Sequence, residues 1–179
     1  MNPLGRTGLQ GRGLLRHWGP NQAGDALVTR RSQAHPGKFE FVAIKRGDNG
    51  IWAMPGGRLE PGENVDECVR REFEEEACAF DEEQMPEIRR ALDEIFRSGI
   101  VAYHGVVHDP RCTDNAWMET RCYRVHIADD NVSQLLRVRG GDDASEAKWM
   151  LADDSCNEFH NLFANHRDIV LTAIAQPST

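Results

Sequence analysis

The chain has 179 residues, of which 40% are hydrophobic and 28% are charged, values that fit one domain with a buried core. Its formal net charge of −8 argues against binding to nucleic acid and against contact with anionic membranes, since both need a basic surface. No apolar run approaches the ~20 residues of a membrane-spanning helix. The five cysteines are scattered without a C-x-x-C pair, so we expect free thiols in a reducing, intracellular compartment.

Glycine dominates the start of the chain. Residues 1–25 contain six glycines and two prolines, which predict turns and close backbone contacts rather than regular elements. We therefore expect a Gly-rich N-terminal segment over residues 1–38 that packs on a core over residues 39–179, within one structural domain overall.

The first regular elements are a hairpin and two helices. "FEFVAIKR" (39–46) is rich in β-formers, and "IWAMP" (51–55) follows the turn "GDNG" as its predicted partner strand. A glycine loop and a helix over about 64–79 come next. A second helix over 82–99 repeats apolar residues at helical spacing and ends at Gly99.

The rest of the chain alternates strands with a final helix. Strands are predicted over 100–107, 121–128 and 148–150, the last one after the turn "RGGDD". A C-terminal helix is predicted over 157–176. Interleaved strands and helices with hairpins among them favour an α/β fold, in which helices cover a mixed sheet.

The first predicted helix carries Glu72, Glu74, Glu75 and Glu76 close together. At about 100° per residue, Glu72 and Glu76 fall within the apolar stripe of the helix, whereas Glu74 points away from it. Inward carboxylates cost several kcal/mol each unless they are paired or bind a metal ion. Arg71 can pair with only one of them, and Mg²⁺ prefers carboxylate oxygens, so the residues alone leave pairing and metal binding both open.

The loop before this helix favours the metal. Gly56 and Gly57 allow the backbone to approach a ligand closely. The spacing is Gly57, five residues, Glu63, seven residues, Arg71-Glu72-Phe73, one residue, Glu75-Glu76. This pattern resembles the signature of the Nudix hydrolases, which bind divalent metal with a loop-helix-loop and hydrolyse nucleoside diphosphates linked to another group. The chain departs from the family pattern after these residues, at Cys78 and Ala79.

The resemblance extends from Gly5 to about Gln176. "GRTGLQGRGLLRHWGPNQAGDALVTR", "WAMPGGRLEPGE", "DPRCTDNAWMET" and "GGDDASEAKW" look like the mitochondrial type of ADP-ribose pyrophosphatase. They are equally similar to the C-terminal domain of ADP-ribose-gated melastatin-family cation channels. The resemblance implies the Nudix α/β/α sandwich and a small-molecule substrate, ADP-ribose.

The retained Arg-Glu-Phe motif favours turnover over silent binding, because vertebrate channel domains are understood to have lost it. The resemblance then implies Mg²⁺-dependent hydrolysis of ADP-ribose to AMP and ribose 5-phosphate, with Mn²⁺ as the alternative metal. Two alternatives stay open. One is a sensor module with little turnover, covalently attached to a channel; the other is hydrolysis of another nucleoside diphosphate derivative. A channel domain would be cytoplasmic, and a free enzyme mitochondrial.

The resemblance also assigns roles to individual residues. Metal ligands are expected from Glu72, Glu75 and Glu76 with a carbonyl of the Gly57 loop, and Arg71 is expected to hold a glutamate. Glu63 is either a further partner or a carboxylate favoured by the helix dipole. Asp142 or Asp143, in a loop that is alternatively a solvated turn, is the candidate ligand or base. The candidate substrate contacts are Asp25, Asp109, Arg111, Asn115, Trp117, Phe163, Asn165 and His166.

Overall fold

The protein folds as a mixed β-sheet with helices on both faces. The computed structural model describes residues 1–77, 85–128, 138 and 144–176. The strands in these ranges are β1 (Gly19–Arg31), β2 (Phe39–Arg46), β3 (Trp52–Ala53), β4 (Gly56–Arg58), β5 (Ile100–Val107), β6 (Ala116–Ile127) and β7 (Ala144–Leu151). The helices are α1 (Val65–Ala77), α2 (Met85–Arg97), α3 (Asn157–His160) and α4 (His166–Ala175).

Strand β1 lies at the centre of the sheet. It pairs antiparallel with β2 and parallel with β6, in register from Gly19 opposite Ala116 to Arg30 opposite Ile127. The described sheet has the order β3-β2-β1-β6-β5, with β4 added to β1 and β7 added to β2. Because both parallel and antiparallel pairs occur, the predicted mixed sheet is confirmed.

Alternation along the central strands places a core on each face of the sheet. Ala26 and Val28 of β1 belong to the cluster that includes Val69 and Phe73 of α1 and Leu92 of α2. On the other face, a second cluster joins Leu27 of β1 to residues of α3 and α4, namely Phe159, Ile169, Val170 and Ala173. Helix, sheet and helix therefore form three layers, as the α/β/α prediction requires.

The N-terminal residues wrap around the loop that precedes β6. The backbone N–H of Asn2 donates to the Asp114 carbonyl at 2.9 Å, and the Asp114 N–H donates to the Leu9 carbonyl at 2.8 Å. The Asp114 carboxylate also accepts from the N–H groups of Thr7 and Gly8. These bonds fix a segment that contains no helix or strand before Gly19 among the described residues.

Two predictions in the glycine-rich part of the chain are wrong. Residues 19–25 form the first half of β1 rather than turns, because the distant strand β6 supplies parallel backbone partners along that stretch. The glycine loop after β3 forms the short strand β4, which pairs antiparallel with β1 from Ala23 opposite Arg58 to Asp25 opposite Gly56. The segment over 1–38 thus contains the central strand.

The C-terminal helix is also corrected. It is interrupted between His160 and His166, where Ala164 takes a positive φ of 51°. The Phe163 N–H donates to the Trp52 carbonyl at 2.8 Å, and this bond to β3 replaces a helical one.

The hairpin of β2 with β3 and the strand over 100–107 are confirmed, while β6 and β7 are longer than predicted. No helix within the described ranges is long and apolar enough to cross a membrane.

Candidate active site

A cavity of about 780 Å³ lies between β4, α1, the end of β2 and the loop after β5. Its lining includes most of the charged residues singled out in the sequence. The predicted site residues in its lining are Asp25, Gly57, Arg71, Glu72, Glu75, Glu76, Asp109, Arg111, Phe163 and His166.

Local bonds start helix α1 at the edge of this cavity. Asn64 and Glu67 form a reciprocal cap, in which the N–H of each residue donates to the side chain of the other at 3.0 Å. The turn before it is closed by Glu63, whose N–H donates to the Glu60 carbonyl and whose carboxylate accepts from the Glu60 N–H. These bonds fix the residue at which α1 begins, and the start of the helix determines which side of α1 its glutamates occupy.

We call Glu72, Glu75 and Glu76, together with Gly56 and Gly57, the carboxylate wall. The Gly56 N–H donates to Glu76 Oε2 at 2.9 Å. A Cβ atom at Gly57 would overlap the Glu72 carboxylate, so a side chain at this position would displace that carboxylate. The sequence predicted that Gly56 and Gly57 let the backbone approach a ligand closely. The close neighbour of Gly57 in the structure is the Glu72 carboxylate, so the approach to a ligand stays a prediction.

The charges of the carboxylate wall are costly without a cation. Burial raises the pKa of Glu72. Burial also raises the pKa of Glu76 to about 7, with further increases from the negative charges of Glu72 and Asp25. Carboxylates that resist ionisation in this way are stabilised as anions when a cation binds beside them.

Arg71 links two glutamates of the carboxylate wall to Glu63 in the turn before α1. Its guanidinium donates to both oxygens of Glu63, at 2.8 and 3.0 Å, and also to Glu72 at 2.9 Å and Glu75 at 3.1 Å. The hydrogen bonds that Arg71 donates, first to Glu63 and then to Glu72 and Glu75, raise the pKa of Arg71, although burial opposes the rise. The predicted contact between Arg71 and a glutamate is present, and Glu63 is one of its partners.

The donor set of this wall fits a hard divalent cation. Carboxylate oxygens of Glu72 and Glu76 border the cavity, and such oxygens with water are what Mg²⁺ prefers. In the described part of the chain no three carboxylate, imidazole or thiol groups are already gathered as a ligand set. Arg71 donates to Glu72 and Glu75, so a cation would share these two carboxylates with Arg71 and take its remaining ligands from water or from loop carbonyls.

Two buried ionisable side chains lie deeper in the cavity. Asp25 accepts from the Thr120 hydroxyl at 2.6 Å, and burial raises the pKa of Asp25. His166 accepts the Met54 N–H at its Nδ1 atom, at 3.1 Å, and burial lowers the pKa of His166. A neutral imidazole that accepts at Nδ1 carries its proton on Nε2, so His166 is a hydrogen-bond donor.

The loop after β5 supplies a preorganised arginine. Arg111 donates to both oxygens of Asp109, at 2.8 and 2.5 Å, and the Arg111 N–H donates to the same carboxylate at 2.8 Å. Burial works against ionisation of Asp109, yet these bonds hold the pKa of Asp109 below its usual value. The pair keeps a fixed guanidinium at the cavity surface.

Three predicted substrate contacts are not brought to this cavity. Among the described residues, Asn115 accepts from the Gly11 N–H, and Trp117 donates its indole N–H to Glu119 at 2.8 Å. Asn165 accepts from the His108 N–H. Asp142 and Asp143, as well as Cys78 and Ala79, lie outside the described residues, so those predictions stay as they are.

Sequence reasoning missed five charged residues that line the cavity: Arg16, Arg46, Asp48, Arg58 and Glu60. Arg46 stacks 4.3 Å above the Phe163 ring and donates to both oxygens of Asp48, at 3.0 and 2.8 Å. For Arg46, the one sequence feature that could have indicated a place at the cavity was its position at the end of a predicted strand. Arg16 and Arg58 lie in glycine-rich stretches, where no periodic pattern indicates the direction of a side chain.

The fold and the site define an α/β domain in which a loop and a helix present carboxylates to a cavity large enough for a nucleotide. A sequence model of the NUDIX domain matches residues 19–172. The chain therefore belongs to the NUDIX family. This match begins where β1 begins.

Relatives and solved structures agree with this family. The chain is 43% identical over 188 residues to the mitochondrial ADP-ribose pyrophosphatase of Rattus norvegicus, covering 93% of this chain and 54% of that protein. It is 40% identical over 181 residues to the transient receptor potential cation channel subfamily M member-like 2 of Nematostella vectensis, covering 95% of this chain and 11% of the channel. The crystal structure of a MutT/nudix family protein from Enterococcus faecalis superposes with a TM-score of 0.62 at 18% identity, covering 90% of this chain and 63% of that one.

Proposed function

We propose that this chain hydrolyses ADP-ribose to AMP and ribose 5-phosphate with the help of a divalent metal ion. The observation that carries the proposal is the carboxylate wall, in which Glu72 and Glu76 border a cavity of about 780 Å³. That volume lies within the roughly 300–1,000 Å³ typical of small-molecule sites. The identity of 43% to a pyrophosphatase that acts on ADP-ribose supports this substrate, although the chain spans only 54% of that protein.

Glu72 and Glu76 would hold the metal ion, with Glu75 and a carbonyl of Gly57 as further ligands. We propose Mg²⁺ as the ion, with Mn²⁺ as a substitute, because the donors are hard oxygens. When bound, such an ion offsets the charge of the diphosphate and lowers the pKa of a water molecule that attacks phosphorus. Burial raises the pKa of Glu76 to about 7, and a cation bound beside Glu76 would offset that increase.

The other residues of the cavity position the substrate. Arg71 keeps Glu72 and Glu75 in place through its hydrogen bonds to both. Arg111, fixed by Asp109, offers N–H groups to anionic oxygens, and His166 offers its Nε2 proton from a buried site. The ring of Phe163 adds an aromatic surface at the cavity. Asn115, Trp117 and Asn165 stay predictions that no contact with the cavity supports among the described residues. Asp142 and Asp143, outside those residues, stay predictions as well.

The experiment is to incubate the protein with ADP-ribose and Mg²⁺ and to measure AMP and ribose 5-phosphate by chromatography. Product should form with Mg²⁺, stop with EDTA, and fall strongly in Glu72→Gln. A panel that includes nucleotide sugars and dinucleoside polyphosphates tests the substrate. If another substrate is cleaved much faster than ADP-ribose, the substrate assignment is wrong, and if Glu72→Gln is fully active, the metal assignment is wrong.

A second candidate function is that of an ADP-ribose-binding domain attached to a channel. The similarity to a channel of which this chain matches 11% favours it. Calorimetry distinguishes the two candidates, since a pure binding domain would hold ADP-ribose tightly with Mg²⁺ present and release no AMP.

We further infer a reducing compartment, cytoplasmic for a channel domain or mitochondrial for a free enzyme. The thiols of Cys68, Cys112, Cys122 and Cys156 are free.

A further inference from the structure

Three arginines from separate parts of the chain line the cavity beside the carboxylate wall. Arg16 precedes β1, Arg58 is the last residue of β4, and Arg111 follows β5. We call these three residues the arginine wall. Arg71 and Arg46 line the same cavity but are bound to Glu63 and Asp48 respectively.

Strand β4 separates the two walls. Side chains of a strand alternate between its faces, so Arg58 points away from the face on which Gly57 meets Glu72. The backbone of Arg58 nevertheless contacts α1, because the Arg58 carbonyl accepts a hydrogen bond from the Arg71 guanidinium at 3.3 Å. One short strand therefore carries the glycine that admits a carboxylate and, on its other face, an arginine.

In the described part of the chain, two of the three arginines are not bound by an acid, although Asp48, Glu60 and Asp109 line the same cavity. Arg111 is bound to Asp109, but within the described ranges no hydrogen bond or ion pair reaches the guanidinium of Arg16 or Arg58. Burial lowers the pKa of Arg58, and the positive charges of Arg111 and Arg16 lower it further. Three guanidinium groups that repel one another around one cavity are stabilised when an anion binds between them.

We propose that Arg16, Arg58 and Arg111 form a subsite for a phosphate group of the substrate, separate from the carboxylate wall. This inference rests on the proposed function only for the identity of the substrate. Arginine forks match the oxygens of a phosphate, and a dianionic phosphate offsets the charges of Arg16 and Arg58, since Asp109 already offsets the charge of Arg111. The phosphate is either part of the diphosphate or a phosphate monoester carried by the substrate or released as product.

The test measures binding of inorganic phosphate and of AMP to metal-free protein by calorimetry, which needs no turnover. Arg16→Ala and Arg58→Ala should each weaken both ligands about tenfold, the effect of losing a charged hydrogen bond. Arg90→Ala is the matched control, since Arg90 is exposed on α2 and its loss changes the net charge equally. Equal affinities in all four proteins, or no binding of either ligand, would overturn the subsite.

A kinetic arm identifies the phosphate. If Arg58→Ala also raises the KM for ADP-ribose about tenfold, the subsite holds the diphosphate. If the KM is unchanged while AMP and inorganic phosphate still bind more weakly, the subsite holds a monoester. Arg58→Lys, which keeps the charge but not the fork, should recover part of the affinity, and the unfolding midpoint of Arg58→Ala checks that this variant is folded. Failure of ADP-ribose hydrolysis would leave the phosphate measurement intact, so the two proposals fail separately.

Discussion

The carboxylate wall and the arginine wall border the same cavity, but they are built in different ways. The carboxylate wall comes from one continuous stretch, residues 56–76, in which a strand, a turn and a helix follow one another. The arginine wall combines residues from before β1, from β4 and from after β5. Local bonds therefore set the carboxylate wall, whereas the arginine wall exists only once the N-terminal segment, strand β4 and the loop after β5 have met.

The two walls also differ in how they are held. Arg71 joins Glu63, Glu72 and Glu75 within a single helix and the turn before it. Arg16 is positioned instead by its neighbour Leu15, which is buried in a cluster with Val107 and Met118. Changes to the N-terminal segment should thus disturb the arginine wall and spare the carboxylate wall.

The largest effect is expected from Glu76→Gln. Loss of a metal ligand removes several kcal/mol of transition-state stabilisation, which corresponds to a decrease in kcat of about 10³-fold. Glu74→Gln is the control on the same helix, because Glu74 binds Arg70 and does not line the cavity as described. Steady-state kinetics with Mg²⁺ measure both variants. A Glu76→Gln enzyme within a few fold of the wild type would contradict the assignment.

A smaller effect is expected from Arg71→Ala. Without its guanidinium, Glu72 and Glu75 lose their orientation, and loss of such a supporting residue typically costs about 10–100-fold in activity or metal affinity. Arg70→Ala is the matched control, since Arg70 binds Glu74 and Asp93 outside the cavity. Titration of Mg²⁺ against activity should show weaker metal activation in Arg71→Ala alone. Equal losses in both variants would mean that these arginines only stabilise the helix.

Asp109→Asn should reduce stability in a pH-dependent way. The folded-state pKa of Asp109 is below its unfolded value, so the carboxylate contributes stability above about pH 4 and loses it as pH falls through the folded pKa. We expect a loss of about 1–3 kcal/mol at pH 7 and a smaller difference at pH 3. Denaturant unfolding of Asp109→Asn and of the wild type at pH 7 and at pH 3 measures this difference in stability. A difference that is constant with pH would show that the ionised pair with Arg111 is not the cause.

The smallest effect is expected from Asp114→Ala, which frees Thr7 and Gly8 from the loop before β6. Arg16 should then be held less firmly, so the affinity for phosphate should decrease about two- to fivefold. This decrease is smaller than the one expected when a charged hydrogen bond is removed altogether. The carboxylate wall should be unaffected, and Mg²⁺ activation is the readout for that. If Mg²⁺ activation falls as much as phosphate binding, the two walls are not independent.

Several parts of the fold were predictable from the sequence because they depend on neighbours along the chain. The β2–β3 hairpin follows from β-formers on both sides of a glycine turn, and α1 follows from its cap and apolar stripe. The inward phase of Glu72 and Glu76 follows from helical geometry alone. Burial then raises the pKa of both residues.

Other parts were not predictable because distant residues decide them. Residues 19–25 became a strand through parallel pairing with β6, almost a hundred residues later, against their own glycine content. The break at Ala164 arises from the bond between Phe163 and Trp52, and it leads the chain past the cavity. No local pattern shows either partner.

The sequence by itself determined the carboxylate wall, since a helix of fixed period after a glycine loop places its glutamates on one side whatever surrounds it. Tertiary structure alone decided the arginine wall, and with it the place where we expect an anion to bind. Arg16, Arg58 and Arg111 have no common period or motif, and only the packing of three segments around one cavity brings their charges together.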